Sequence, residues 1–351
     1  MSKEYKEFRV IRISAGTPFE RGVQYGAQAK AEINRCIDTY HKHFQSARSL
    51  SWEQVCAMAE AYIPDIQIWT PDILEEVRGI AKGAGADFLD LMVLNCRYEI
   101  LHFPRQNECT AYALQREATA ERHVLVGQNW DNRPYLLDHT LLLHITEQES
   151  GNVIFGMTEA GQPIRNGFCT NGVAQCSNSL RSSIDRQGGG VPSTFVRRKL
   201  LSMRTLDEMV ALIRKVPRSV SVNYCLGSLE NKVADIEAVP GQPVRFEPID
   251  RIVTHANHLL VNRDLDVSTG DRFRGERLHA LLSERNGAIT VEYLMHCLKD
   301  HVGAPEGICS HTTENGKPWQ TNASLIYDLD ARRAWICYGP PCEGVYREYA
   351  L

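Results

Sequence analysis

The period of the apolar pattern changes at Cys109. Upstream, Ile73, Val77, Ile80 and Ala81 recur at i, i+4, i+7 and i+8, the stripe of a core-facing helix. Downstream the period falls to two, and short strands are expected over 110–114, 123–129, 140–146 and 153–157. The seam, 102–108, is polar, contains Pro104 and reads as a loop. Helices and strands that each bury one face must pack as layers. The expected fold class is therefore α+β, with two helix-covered sheets as the arrangement that fits.

Local signals place the other elements. Residues 8–13 alternate as a strand. Thr17 with Pro18 and Glu20 forms a capping box opening a helix to about residue 43, and Ser51–Gln54 and Thr205–Glu208 repeat the device. Pro71 opens a third helical stretch, closed by Gly83-Ala84-Gly85, and a fourth helix is expected from Asp87. Asn171-Gly172 marks a hairpin turn. Helices are expected over 192–202, 206–215, 272–283 and 291–299, and strands over 222–226, 232–238, 244–248, 252–255, 323–327 and 334–338. No linker separates two domains, so 1–351 reads as a single domain.

Composition narrows the function class. The net charge of −4, with both signs interspersed, offers no nucleic-acid surface. No apolar run approaches membrane-spanning length, and the charged start, Met1 to Lys6, lacks the apolar core of a signal peptide. The 11 cysteines are odd in number, irregularly spaced and without a CxxC pair. Free thiols in a reducing compartment are expected, hence a cytoplasmic location.

Most of those cysteines read as small buried apolar residues, so a reactive one needs its own argument. A thiol at neutral pH is mostly protonated and needs a base. A terminal α-amine, with an unperturbed pKa of about 7.7–8.0, is a local one. Cys109 acquires such an amine if the Glu108–Cys109 bond is cut, by attack of the thiol on the Glu108 carbonyl, an N-to-S shift and hydrolysis of the thioester.

Several stretches carry a resemblance: Gly16-Thr17-Pro18-Phe19-Glu20, Ile80-Ala81-Lys82-Gly83-Ala84, Leu94-Asn95-Cys96-Arg97-Tyr98-Glu99, Cys109-Thr110-Ala111-Tyr112, Gly127-Gln128-Asn129-Trp130-Asp131, Thr158-Glu159-Ala160-Gly161, Thr254-His255-Ala256-Asn257-His258 and Ile326-Tyr327-Asp328. In this order and spacing the chain resembles the isopenicillin-N acyltransferase family, cysteine members of the N-terminal-nucleophile hydrolases. The resemblance implies a four-layer αββα sandwich and self-cleavage before the cysteine. It also implies an upstream chain 1–108 and a downstream chain 109–351 that stay together as a heterodimer, and chemistry on amides or thioesters. It makes Cys109 the nucleophile, Asp131 the carboxylate beside the new amine and Asn257 the side-chain amide of an oxyanion hole.

Two departures stand against the penicillin-forming reaction. The residue before the nucleophile is Glu108 rather than Gly, and no Arg aligns in Gly316-Lys317-Pro318-Trp319-Gln320-Thr321-Asn322 near the last strands. The expectation is a self-cleaving amidohydrolase for small N-acyl compounds. Transfer of an acyl group from a coenzyme A thioester to an amine is the alternative, and an uncleaved, non-catalytic homologue the second. No resident cofactor is expected.

Other residues keep two readings. Tyr112 and Trp130 read equally as pocket walls or core, and Glu159 and Asn178 as site lining or polar support. His255 and His258 stand three apart without a matching ligand cluster, so no metal is expected, and His258 stays a pocket candidate. Arg274 and Arg277 are expected on a solvated or salt-bridged helix face.

Overall fold

The computed structural model describes residues 6–101, 109–269, 272–314 and 316–351. The seam 102–108, with Glu108, lies outside the described residues. Strand β1 (Val10–Ala15) leads into α1 (Pro18–Gln28), α2 (Lys30–Arg48), α3 (Trp52–Glu60), α4 (Ile63–Trp69), α5 (Pro71–Ala84) and α6 (Phe88–Leu101). Then come β2 (Cys109–Leu114), β3 (Leu125–Asn132), β4 (Thr140–Glu147), β5 (Asn152–Glu159), β6 (Asn166–Cys169) and β7 (Val173–Ser179). Helices α7 (Ser193–Leu200) and α8 (Leu206–Lys215) precede β8 (Val222–Ser228), β9 (Lys232–Val239), β10 (Gln242–Phe246) and β11 (Ile252–His255). The chain closes with α9 (Phe273–Ser283), α10 (Val291–Cys297), β12 (Gln320–Asp328), β13 (Arg333–Tyr338) and β14 (Tyr346–Ala350).

All three expected capping boxes form, at Thr17, Ser51 and Thr205. The long first helix is instead two: the backbone leaves helical geometry at Ala29, which ends α1 and starts α2. Gly83 does not end α5. Gly85, at φ +66°, does. Helix α4 and strand β14 were not legible in the sequence.

Two sheets form among the described residues, in the orders β1-β4-β5-β6-β7-β8-β9-β10 and β11-β2-β3-β12-β13-β14. They pack face to face. Phe168 of the first stacks on Tyr327 of the second at 5.1 Å, and one buried cluster joins Met157, Cys176 and Leu226 to Ala111, Val126 and Trp130. Helices α1–α8 flank the larger sheet, and α9 and α10 cover the outer face of the smaller one, on Leu114, Leu125 and Ile326. This is the four-layer αββα order.

In the larger sheet's helical layer, α1 and α5 meet backbone to backbone. Gly22 and Gly26 face Gly79 and Gly83, each pair four apart and so on one helix face. A Cβ at Gly79 would lie 2.1 Å from the Phe19 carbonyl oxygen, and one at Gly22 2.0 Å from that of Glu76. No side chain fits there.

Between the sheets lies a buried ionic layer. His255 Nε2 is 3.3 Å from Glu237 Oε1 and 3.6 Å from Asp235 Oδ2, and its Nδ1 lies 2.8 Å from the Ala256 carbonyl. Asn223 donates to Asp235 at 2.6 Å. Glu237 also accepts from the backbone N–H groups of Leu260, Val261 and Asn262. That carboxylate therefore fixes the turn after β11. Burial pulls the His255 pKa down, but the two carboxylates prevail and push it up to about 9.

Two outcomes test this fold. Gly79→Ala should lower stability by about 1–3 kcal/mol or more, because overpacking against backbone outweighs the roughly 1 kcal/mol helix-propensity gain; urea unfolding measures it, and an unchanged midpoint would refute the close contact. His255 is near 6.5 when unfolded and about 9 when folded, so its contribution is whole below pH 6.5 and is lost as pH rises through 9. Asp235, raised by burial to about 6, and His258, lowered to about 4, change charge below that window. Melting temperature should fall from pH 6.5 to about 7.5, below the range of about 8.5 in which the cysteines of the unfolded chain ionise, and His255→Gln should be less stable yet flatter across it; a wild-type slope persisting in the variant over that range would contradict this.

Candidate functional site

Register builds the site. Cys109 opens β2 opposite Trp130 of β3, while β11 runs along the other side of β2, with His255 opposite Ala111. Two residues past His255, Asn257 comes level with Cys109. Thr321 of β12 pairs with Asp131 of β3. Four strand ends thus converge at one end of the smaller sheet.

The Cys109 backbone N–H donates to Asn257 Oδ1 at 2.5 Å. Arg274 of α9 joins the site from the outer layer. It is fully buried, donating Nη1 to Asp131 Oδ2 at 2.8 Å and Nη2 to Asn257 Oδ1 at 3.1 Å. Thr321 Oγ1 donates to the other Asp131 oxygen at 2.7 Å. The guanidinium is thus a fork between the carboxylate and the amide that holds the cysteine nitrogen. Arg274 is no solvated residue. Arg277, on the same helix, meets the surface expectation by pairing with Asp300 at 2.7 Å, partly exposed.

The Cys109 thiol is 1 % exposed and faces the inter-sheet core. Burial and, next, the Asp131 carboxylate push its pKa up; Arg165, the Asp131 backbone N–H and Arg274 pull it back, leaving it at about 11. The thiol is protonated at neutral pH and needs a base.

Trp130 shares this face, fully buried, with the Arg165 guanidinium 4.9 Å from its ring centre. Arg165 is held by Glu159 at 3.6 Å. Glu159 also accepts from Tyr40 at 2.7 Å and from Arg97. Burial opposes ionisation of Glu159, yet Arg97 and Arg165 keep its pKa below the usual range. Glu159 is therefore polar support for a cation beside the thiol. The sequence signal for Arg165 was slight: it lies just past the Glu159-Ala160-Gly161 match.

The structure places four further candidates. Tyr112 stands an odd number of residues from Cys109, so a strand turns it to the opposite face. It packs in the α9–α10 cluster, its hydroxyl donating to the Leu325 carbonyl at 3.3 Å, and is not a wall against Cys109. Asn257 directs its oxygen, not its nitrogen, at Cys109; Nδ2 donates to the Ser179 carbonyl at 2.9 Å and hydroxyl at 3.0 Å, so in this geometry the amide holds the cysteine nitrogen rather than an oxyanion. Asn178 donates to the His255 carbonyl at 3.3 Å and so braces β11. His258 stacks near His255, 6.2 Å between ring centres, with burial and then that neighbour lowering its pKa to about 4. It lines a cavity of about 290 Å³ between β11 and α9, whose lining includes Phe246, Ile252, Thr254 and His279 but not Cys109, Asp131 or Trp130. Among the described residues no helix is long and apolar enough to cross a membrane.

The chain is 29% identical over 346 residues to the 40 kDa form of acyl-coenzyme A:6-aminopenicillanic-acid-acyltransferase of Emericella nidulans, covering 93% of this chain and 91% of that one. Solved structures similar to it include a mutant of conjugated bile acid hydrolase from Clostridium perfringens (TM-score 0.44, 12% identity, 66% of this chain and 89% of that one). Penicillin V acylase from Agrobacterium tumefaciens is another (TM-score 0.47, 9% identity, 66% and 82%). The acyl-coenzyme A:6-aminopenicillanic acid acyl-transferase family matches residues 118–343, more than half of the chain, which belongs to that family.

Proposed function

We propose that the chain cuts itself at Glu108–Cys109 and that Cys109 then acts as a terminal nucleophile on small N-acyl amides. The observation that carries this is the pairing of a protonated thiol with a backbone nitrogen held at 2.5 Å by Asn257. The cut turns that nitrogen from a neutral amide into an amine. The amine takes the thiol proton, the thiolate attacks the acyl carbonyl, and the leaving amine recovers the proton as the C–N bond breaks. Water, activated by the same amine, hydrolyses the thioester and frees the acid and the thiol.

In this reading Asn257 and the Asp131–Arg274 pair position the amine. Arg165, with the terminal ammonium, favours the thiolate electrostatically. The two fragments stay joined because β1 is hydrogen-bonded in parallel to β4 within the larger sheet, and α1–α6 share its core.

A second reading is favoured by the family, which is named for acyl transfer from coenzyme A to an amine. The acyl-enzyme is common to both, and the acceptor differs. A thioester donor supplied with and without an amine separates them by product: free acid for hydrolysis, a new amide for transfer.

Purified protein should run as two bands on a denaturing gel, with Cys109 the first residue of the larger fragment. Cys109→Ala should stay one chain without activity. Intact mass and N-terminal sequencing check both, and a single wild-type chain after prolonged incubation, or full activity in Cys109→Ala, overturns the proposal. Arg274→Lys keeps the charge but not the fork that spans Asp131 and Asn257. It should fold, as circular dichroism would report, while cleavage slows by about 10²-fold, the usual scale for a misplaced reacting group. Wild-type cleavage in that variant would remove Arg274 from the positioning role.

A further inference from the structure

Sequence spacing gave no reason to expect a metal, but spacing cannot register ligands drawn from distant segments. His301 follows α10, Cys309 and His311 lie on the return toward β12, and Cys342 sits in the β13–β14 turn. One ligand atom from each of the four lies within 4.8 Å of all the others.

The separations have a particular shape. His301 Nε2 and His311 Nε2 are 3.1 Å apart, Cys309 Sγ and Cys342 Sγ 3.5 Å, and His311 Nε2 lies 3.6 Å from Cys309 Sγ and 3.3 Å from Cys342 Sγ. Zinc bonds of about 2.3 Å to sulfur and about 2.0–2.1 Å to nitrogen define a tetrahedron with edges of about 3.3 Å (N–N), about 3.6 Å (S–N) and about 3.8 Å (S–S). These four edges fall within a few tenths of an ångström of that figure, and the two from His301 to the sulfurs are no longer than 4.8 Å.

We propose that His301, Cys309, His311 and Cys342 form a structural zinc site. Two thiolates and two imidazoles suit zinc over the oxygen-seeking magnesium and calcium. Four protein ligands close the coordination sphere, so the ion holds structure and does not bind substrate. His311 turns its other nitrogen, Nδ1, toward Glu343 Oε1 at 3.6 Å, placing a carboxylate on the side where an outer partner of a metal-bound histidine stands. Binding replaces both thiol protons, so two protons are released per ion. A Cys309–Cys342 disulfide would account for the two sulfurs and leave the convergence of two imidazoles on them unexplained.

The site would staple the 298–311 loop and the β13–β14 turn beside the candidate active site. Asn129 Nδ2 donates to the carbonyls of Leu298 and Ile308, both at 2.9 Å. Ser310, between two of the ligands, donates its N–H to Thr321 Oγ1 at 3.0 Å and accepts the Thr321 N–H at 2.9 Å. Thr321 Oγ1 in turn donates to Asp131.

Full-length protein, purified under reducing conditions without chelator or a metal-affinity tag, should carry one zinc per chain by elemental analysis. Cobalt substitution should give the visible bands of a tetrahedral ion together with thiolate-to-cobalt charge transfer. Cys309→Ser and Cys342→Ser should lose the metal and Cys56→Ser should retain it. Chelation should lower the melting temperature, and added zinc restore it. Wild-type protein without stoichiometric metal that also gives no tetrahedral cobalt spectrum overturns the site. So does isolated protein whose intact mass is lighter by two hydrogens through a Cys309–Cys342 disulfide.

Discussion

A buried guanidinium ties three parts of this fold to one atom. Arg274 comes from the outer helical layer, reaches the smaller sheet's end, and bonds both Asp131 of β3 and Asn257 beyond β11. A buried ion pair of this kind contributes little net stability, because desolvating both charges offsets most of their attraction. Its consequence is geometric. The planar fork sets the distance between carboxylate and amide, and the amide oxygen sets the position of the Cys109 nitrogen. A flexible ammonium would neutralise Asp131 without fixing Asn257.

Each member of that group is braced from a different direction. Glu237 gathers His255 and the N–H groups of the turn after β11, so Asn257 leaves the strand from a fixed base. Thr321 holds the second Asp131 oxygen and is itself gripped by Ser310 on the loop bearing the proposed zinc ligands. From the helical side, Arg97 and Tyr40 fix Glu159, which fixes Arg165 over Trp130. The charged groups at the thiol are therefore networked rather than isolated, while the neighbouring Trp130 Nε1 is buried without a hydrogen-bond partner among the described residues.

What was legible in the sequence is what depends on neighbours in sequence. The capping boxes, the Asn171-Gly172 turn and the change of period at Cys109 follow from residues a few positions apart, and all are present. Tyr112 reads two ways although its odd offset from Cys109 already assigns it to the opposite face. Gly22, Gly26, Gly79 and Gly83 carry a readable spacing whose meaning needs the partner helix. Arg274 was beyond local reading. A charged residue on a helix is solvated by default, and its partner Asp131 lies 143 positions away. The proposed zinc ligands share that difficulty, since Cys342 joins the other three only once β13 and β14 have turned back.

The intact chain and the proposed mature chain differ at this site mainly in charge. While Cys109 is internal, its nitrogen is neutral and donates one hydrogen bond, and burial keeps the thiol protonated. Cutting the bond would add a titratable amine against Asn257, within the field of the Asp131 carboxylate and two arginines. Protonated, that amine favours the thiolate; neutral, it serves as the base. The same burial that holds the thiol protonated before the cut excludes the water that would screen it from the new ammonium afterwards. One covalent change would thus give a core cysteine, already the nucleophile of its own cleavage, a base of its own for attack on substrate.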